Sequence, residues 1–164
     1  GNGRMAEPEE IVARLDTYFG TGKLKGRKAL VTAGPTYEAI DPVRFIGNNS
    51  SGKMGFAIAE SLANEGASVT LVTGPTHQNI SHPNVQVIAV TSAQQMYEQC
   101  ATHFPNQDIT VLSAAVADYR PLVQADQKIK KKEGNLTIEL TQTIDIAATL
   151  GKQKKEKQLL IGFA

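Results

Sequence analysis

Short apolar runs and stripes of helical period take turns along the chain. Lys28-Ala29-Leu30-Val31-Thr32-Ala33 is the first run, closed by the turn signal Gly34-Pro35-Thr36. Residues 68–73, closed by Gly74-Pro75, predict a second strand, and residues 85–90 a third. Residues 109–115 predict a buried fourth strand, and Leu159-Leu160-Ile161 a fifth core strand. Residues 135–140 alternate apolar and polar side chains, which predicts a strand covered on one face.

Helical signals fall between these runs. Glu7-Pro8-Glu9-Glu10, with Ile11, Leu15 and Phe19 at i, i+4 and i+8, predicts a short helix, followed by a linker through residues 20–26. A second helix opens at a glycine-rich loop, with Ile58 and Leu62 as its core face and Gly66 as its C-terminal cap. Ser92 and Gln95 form a capping box before the stripe Met96, Cys100 and Phe104. Thr143 caps a short helix running through Leu150, and residues 37–50 form a long connection. Strands alternating with helices predict an α/β chain with a Rossmann-like, doubly wound, mainly parallel sheet. The domain reading is a helix and linker over 1–23 and one nucleotide-binding domain over 24–164.

Composition narrows the class. A chain of 164 residues, 41% hydrophobic and 20% charged, is a globular domain with a real core. No apolar run reaches the roughly 20 residues that span a bilayer, so no membrane partner is expected. The first 20 residues hold four acids and no apolar signal core, so no secretory leader is expected. One cysteine, Cys100, points to a reducing, cytoplasmic setting. A net charge of +1 gives no case for nucleic acid. Two lysine clusters stand out, at Lys128, Lys130, Lys131 and Lys132 and at Lys152, Lys154, Lys155 and Lys157. Such runs are usually solvated faces. His77, His82 and His103 share no metal-ligand spacing, and no protein-held metal is expected.

The glycine loop carries the first chemistry. In Ser50-Ser51-Gly52-Lys53-Met54-Gly55 the following helix offers unpaired first-turn amides and the positive end of its dipole. Gly52 and Gly55 let backbone approach a phosphate, and Ser50 and Ser51 add hydroxyls or cap the helix. The dinucleotide spacing G-x-G-x-x-G is not matched, because position 50 is serine. The Walker pattern fails too, with Met54 where a hydroxyl residue belongs.

Longer strings go further. Val31-Thr32-Ala33-Gly34-Pro35-Thr36, Asp41-Pro42-Val43-Arg44-Phe45-Ile46-Gly47-Asn48-Asn49-Ser50-Ser51-Gly52-Lys53-Met54-Gly55, Ala114-Ala115-Val116-Ala117-Asp118-Tyr119-Arg120, Lys128-Ile129-Lys130-Lys131 and Gly162-Phe163-Ala164 occur in this order. Together they resemble the phosphopantothenate–cysteine ligase (phosphopantothenoylcysteine synthetase) family over residues 24–164. The segment Gly3-Arg4-Met5-Ala6-Glu7-Pro8-Glu9-Glu10-Ile11 is similar to the end of the flavin-dependent decarboxylase half of bifunctional bacterial enzymes. The resemblance implies coenzyme A biosynthesis by the synthetase half of such a fusion, with no flavin on this chain.

In the reaction so implied, the carboxylate of 4′-phosphopantothenate attacks the α-phosphate of CTP, brought with Mg2+, to give an acyl-cytidylate and pyrophosphate. The cysteine amine then attacks the acyl carbon and CMP leaves. Asn48 matches the asparagine that contacts the reacting end and the acyl intermediate. Arg44 matches an arginine reaching the phosphopantothenate site of a neighbouring subunit, which implies a homodimer. Gly34, Ser50, Gly52 and Gly55 fall on the nucleotide phosphate loops. Ala114 and Ala115 leave room for substrate, and Asp118 takes a ribose hydroxyl, a substrate hydroxyl or Mg2+. Lys128 matches a triphosphate and transition-state contact, and Phe163 a nucleotide-site aromatic, though by pattern alone Phe163 reads as core.

Two departures accompany the match. Thr141-Gln142-Thr143-Ile144-Asp145 stands where the bacterial family has an asparagine-proline-aspartate stretch, and the sequence stops directly after Gly-Phe-Ala, so a C-terminally truncated domain is expected. Two other readings stay open: a Rossmann-type nicotinamide-dependent oxidoreductase, and an inactive nucleotide-binding fragment. Thr73-Gly74, where the first would need an acidic residue, speaks against it.

Overall fold

The computed structural model describes residues 22–131 and 133–163; the helix expected over residues 7–19 lies outside them. The first run becomes strand β1 (Lys28–Ala33), and all of it except Lys28 is buried. Alternate residues of a strand face opposite sides of the sheet, so β1 feeds two cores. Ala29, Val31 and Ala33 pack with Phe56, Ala59 and Ala63 of helix α1 (Lys53–Asn64). On the other face Leu30 packs with Met96 and Cys100 of α2 (Ala93–His103), with Phe104, and with Ile146 and Leu150 of α3 (Ile146–Gln153).

The sheet has the strand order β5-β4-β1-β6-β9, with β4 at Ser68–Thr73, β5 at Val85–Ala89, β6 at Ile109–Leu112 and β9 at Leu159–Gly162. Every neighbouring pair in it is parallel. The chain moves outward from β1 through β4 to β5, then returns to the opposite side of β1 for β6 and β9. That reversal puts a switch point at the carboxyl ends of β1 and β6, where doubly wound sheets open a crevice.

Local sequence accounts for most element ends. Ser92 Oγ accepts from Gln95 N, completing the predicted capping box. Gly66 (φ 92°) ends α1 in a Schellman motif: its N–H donates to Ala63 O, and that of Ala67 to Leu62 O. Four expectations are corrected. The α1 core face centres on Phe56, Ala59 and Ala63, with Ile58 and Leu62 only flanking it. Asp145, not Thr143, caps α3, accepting from Ala148 N at 2.8 Å. The alternating run at 135–140 is not a strand; pairing begins at its last residue, in β8 (Leu140–Gln142), antiparallel to β7 (Tyr119–Pro121). Among the described residues the fifth strand is an edge, paired only with β6, and Leu159 is 52% exposed and not core.

The long connection holds a small antiparallel hairpin, β2 (Tyr37–Ala39) with β3 (Phe45–Gly47), where Tyr37 and Phe45 stack with centroids 4.0 Å apart. Buried Glu38 pins this hairpin to the body by accepting from Ala93 N at the start of α2. A carboxylate there also meets the positive end of that helix dipole.

Candidate functional site

Two features meet at the switch point: a cradle on the α1 side and a cleft on the α3 side. The cradle is built from glycines. Gly52, the N-cap of α1, has φ 76°, and Gly34, in the turn after β1, has φ 72°. A Cβ on Gly52 would lie 3.3 Å from Gly34 N and Cα, so the two turns touch backbone to backbone. Among the described residues no side chain caps α1, and its first turn carries no acid. Ser50 Oγ accepts from Gly52 N at 3.3 Å, and Ser51 Oγ makes only a long 3.4 Å contact to Lys53 N. This leaves a dipole end suited to an anion.

Gly55 has a different task. A Cβ there would meet Ala33 Cβ at 2.5 Å, Ser113 Oγ at 2.8 Å and Thr32 O at 2.9 Å. It is buried, and it lets α1 sit close against β1 and the end of β6. Its missing side chain therefore seats the helix beneath the cradle, while its N–H remains one of the first-turn amides of α1.

The cleft arises because the β1–β6 ladder stops early. The hydroxyl of Thr32 accepts from both Ser113 N and Ala114 N, drawing the chain off the strand three residues before the expected end at Ala115. Thr36 Oγ1, fully buried, accepts from Ala117 N at 2.9 Å, and a single parallel bridge joins Pro35 to Ala115. Beside this turn lies a cleft of about 600 Å³ whose lining includes Thr32, Ala114, Asp118, Asp145 and Phe163. Phe163 is 55% exposed, which overturns the core reading of its pattern and puts an aromatic ring on the cleft wall.

Asn48 joins the two features. From the exposed loop after β3 it donates Nδ2 to Val116 O at 3.0 Å, and Val116 lines the cleft. Ala115 N donates to Gly34 O, a further tie between the two loops. Gly34, Asn48, Ser50, Gly52, Ala114, Ala115, Asp118 and Phe163 thus gather around the carboxyl ends of β1 and β6.

Arg44 and Lys128 stand at the hairpin instead. Arg44 donates to Asp41 through Nε and Nη2 and to Ile129 O through Nη2, and its side chain remains 41% exposed. Lys128 is exposed beside Ile129. Sequence reasoning missed Asp41, whose carboxylate is wholly enclosed and held well below the usual carboxylate range, first by Arg44 and then by backbone N–H groups, against the opposing cost of burial. Its signal was present: aspartate directly before proline favours an Asx turn, in which the side chain accepts from the N–H two residues on, here that of Val43.

Among the described residues no group of three or more His, Cys, Asp or Glu side chains is arranged to hold a metal ion, and no helix is long and apolar enough to cross a membrane. Cys100 is buried, and desolvation pushes its thiol up to about 12.

Five parallel strands in this order, helices on both faces and a cleft at the switch point define a Rossmann-like α/β domain. Residues 24–164 match the model of the DNA/pantothenate metabolism flavoprotein C-terminal domain, and the chain belongs to that family. All of the chain aligns, at 48% identity, with 41% of the coenzyme A biosynthesis bifunctional protein CoaBC of Haemophilus influenzae. It aligns at 52% identity with 47% of a cysteine/cysteine sulfinic acid decarboxylase from an unknown prokaryotic organism. Among solved structures, the C-terminal domain of a coenzyme A biosynthesis bifunctional protein CoaBC superposes with a TM-score of 0.75 at 50% identity, covering 87% of this chain and 66% of that one. The chain spans less than half the length of these curated relatives. The family resemblance and the doubly wound fold expected from the sequence are both borne out.

Proposed function

We propose that this domain is a phosphopantothenate–cysteine ligase of coenzyme A biosynthesis, using CTP and Mg2+ as the synthetase half of a cytoplasmic bifunctional protein with a flavin-dependent decarboxylase half. The observation that carries the reading is the Asn48 Nδ2 bond to Val116 O, which ties an anion cradle to a cleft large enough for an organic substrate. A ligase that activates a carboxylate needs the phosphate and the substrate side by side.

The chemistry asks little covalent work of the protein. A carboxylate is a poor acyl donor, because its leaving group would be oxide. In the first step a carboxylate oxygen of phosphopantothenate bonds to the α-phosphorus of CTP and the bond to pyrophosphate breaks. In the second, the cysteine amine bonds to the acyl carbon, CMP leaves, and the amine gives up a proton. The protein's part is positioning and charge neutralisation. First-turn amides of α1 and the Gly34 and Gly52 turns cradle phosphate. The Asn48 amide, donor and acceptor without charge, holds the reacting carboxyl. Ala114 and Ala115 leave space for substrate, and the exposed Phe163 ring flanks the nucleotide. Lys128 neutralises the triphosphate, and Arg44 serves the phosphate of phosphopantothenate in a partner subunit of a homodimer.

Mg2+ enters with the nucleotide. It would be held through one or two carboxylates together with the nucleotide phosphates, and the cleft offers Asp118 and Asp145. Asp145 already caps α3, so Asp118 is the carboxylate for the ion or a ribose hydroxyl.

Calorimetric titration of the chain with CTP and with NAD is the direct test, alongside pyrophosphate release with CTP, Mg2+ and phosphopantothenate in a longer protein carrying the same domain. CTP binding and phosphopantothenate-dependent release are expected. Tight NAD binding without CTP binding would sink the ligase reading. In the longer protein, Asn48→Ala should abolish pyrophosphate release while CTP still binds.

A further inference from the structure

Between Ala125 and Leu140 the chain runs without regular secondary structure and is mostly exposed, yet it carries Lys128 and Lys130. Its start is tied by Ala125 N donating to Ile40 O at 3.0 Å. Past that point, among the described residues, the hydrogen bonds joining residues 126–138 to other parts of the chain are those of Ile129. Ile129 N donates to Asp41 Oδ2 at 3.1 Å, and Ile129 O accepts from Arg44 Nη2 at 3.0 Å. Both backbone groups of a single residue, flanked by two lysines, are therefore gripped by one ion pair.

Asp41 is built for this. It is 2% exposed, and its two oxygens receive Val43 N at 2.8 Å, Arg44 N at 2.9 Å, Arg44 Nε at 3.0 Å, Arg44 Nη2 and Ile129 N. Every partner is a donor, so only an ionised carboxylate satisfies the arrangement. An asparagine would turn an NH2 toward N–H groups. The hairpin that presents Asp41 is itself fixed to α2 through Glu38, so the grip transmits a rigid position rather than a local one.

We propose that Asp41 is a positioning residue for Lys128, fixing the lysine-bearing segment against the β2–β3 hairpin by clasping the backbone of Ile129. The inference rests on the ligase reading only in taking Lys128 as the triphosphate contact. A lysine on an unanchored loop loses its own side-chain freedom and that of its backbone when it binds phosphate; the clasp removes the second cost beforehand. Arg44 gains a task within its own chain as well, since two of its nitrogens are committed to Asp41 and Ile129.

The test is a double-mutant cycle on CTP·Mg2+ affinity, with amide hydrogen exchange at Ile129 followed in the same samples. Lys128→Ala should weaken CTP by about tenfold, the loss of one charge-assisted phosphate contact. Asp41→Asn should weaken it by a similar factor, speed exchange at Ile129, and add almost nothing to Lys128→Ala in the double variant. Ile129→Pro deletes the clasped amide but leaves the Asp41–Arg44 pair intact, so it should reproduce the loss even if Asp41→Asn folds poorly. Factors that multiply in the double variant, or unchanged affinity in both Asp41→Asn and Ile129→Pro, would overturn the positioning role and leave the ligase reading standing. A wild-type chain that binds no CTP would overturn that reading instead, and unchanged Ile129 exchange in Asp41→Asn would then still overturn the clasp. An inert Lys128→Ala alongside normal CTP binding would remove the lysine from the site and defeat the proposal.

Discussion

Replacing Gly55 by alanine would put a methyl group 2.5 Å from Ala33 Cβ, 2.8 Å from Ser113 Oγ and 2.9 Å from Thr32 O. Carbon atoms rest at about 3.5–4.0 Å, so α1 would have to lift by about 1 Å. Two of the three obstacles belong to β1, the central strand, and neither is the far end of a flexible side chain. Overpacking of this kind costs about 1–3 kcal/mol. Alanine's higher helix propensity opposes it by at most about 1 kcal/mol, and less so close to the helix start. The net expectation is a loss of about 1–2 kcal/mol, or roughly 2–8 °C in Tm for a chain of this size. Scanning calorimetry would read it, with Gly162→Ala as the control, since nothing lies within 4 Å of a Cβ there. Adding Ala33→Gly should recover part of the loss by removing the shortest contact. A Gly55→Ala chain as stable as the parent would refute close seating of α1, and with it the view that the cradle's height is set by this glycine.

Three further outcomes follow from groups whose hydrogen bonding or burial is fixed by the fold. Thr36→Val strands the Ala117 N–H without its acceptor and should lower the unfolding free energy by about 1–3 kcal/mol, read as a lower urea midpoint; a Thr36→Ser midpoint no closer to the parent would argue against the hydroxyl. Cys100, with its thiol pushed up to about 12, should resist alkylation at pH 8 in the native chain and react fully in denaturant; stoichiometric native labelling would contradict its burial. Asp41 and Asp108 both have lowered pKa values when folded, Asp108 first through Lys28 N and then Arg27. The unfolded chain therefore binds more protons, and the stability these groups give is complete above the ordinary carboxylate range near about 4 and drains away as pH falls through the lowered values. Urea midpoints should drop from pH 6 to pH 3, with a shallower slope in Asp108→Asn; an unchanged slope in that variant would take Asp108 out of the linkage.

Strands β1, β4 and β5 were legible because each is an apolar run closed by a glycine-proline turn or a capping signal, as at Ala33-Gly34-Pro35, Thr73-Gly74-Pro75 and Ser92. The capping box at Ser92 and the Schellman glycine at Gly66 are local, so sequence suffices for both. What escaped depends on distant partners. The three-residue strands of the β2–β3 hairpin are too short for a periodic signal, and the end of β6 is set by a hydroxyl 81 residues away, in Thr32. Exposure of Phe163 follows from β9 lying at an edge, a fact of topology that its apolar neighbours conceal. The motifs located most of the candidate site, but Gly52 and Gly55 look alike in sequence and differ in what a Cβ would strike, which only the packing shows.

The two sides of the switch point are shaped by opposite uses of side-chain size. On the α1 side, Gly34, Gly52, Gly55, Ala33 and Ala59 are small, so helix, turn and strand approach closely, and the first turn of α1 is left without a side-chain cap. On the α3 side, Thr32 diverts two amides from the ladder, and the space so opened is bordered by Ala114, Asp118 and an exposed aromatic ring. Backbone amides suit a phosphate, which is read by charge and hydrogen bonds. A wider cleft with an aromatic wall suits an organic group, which is read by shape. Asn48 is the residue whose side chain crosses from one to the other, its amide fixed by the bond to Val116 O. In the ligase reading proposed above, that crossing is where an uncharged group able both to donate and to accept would serve.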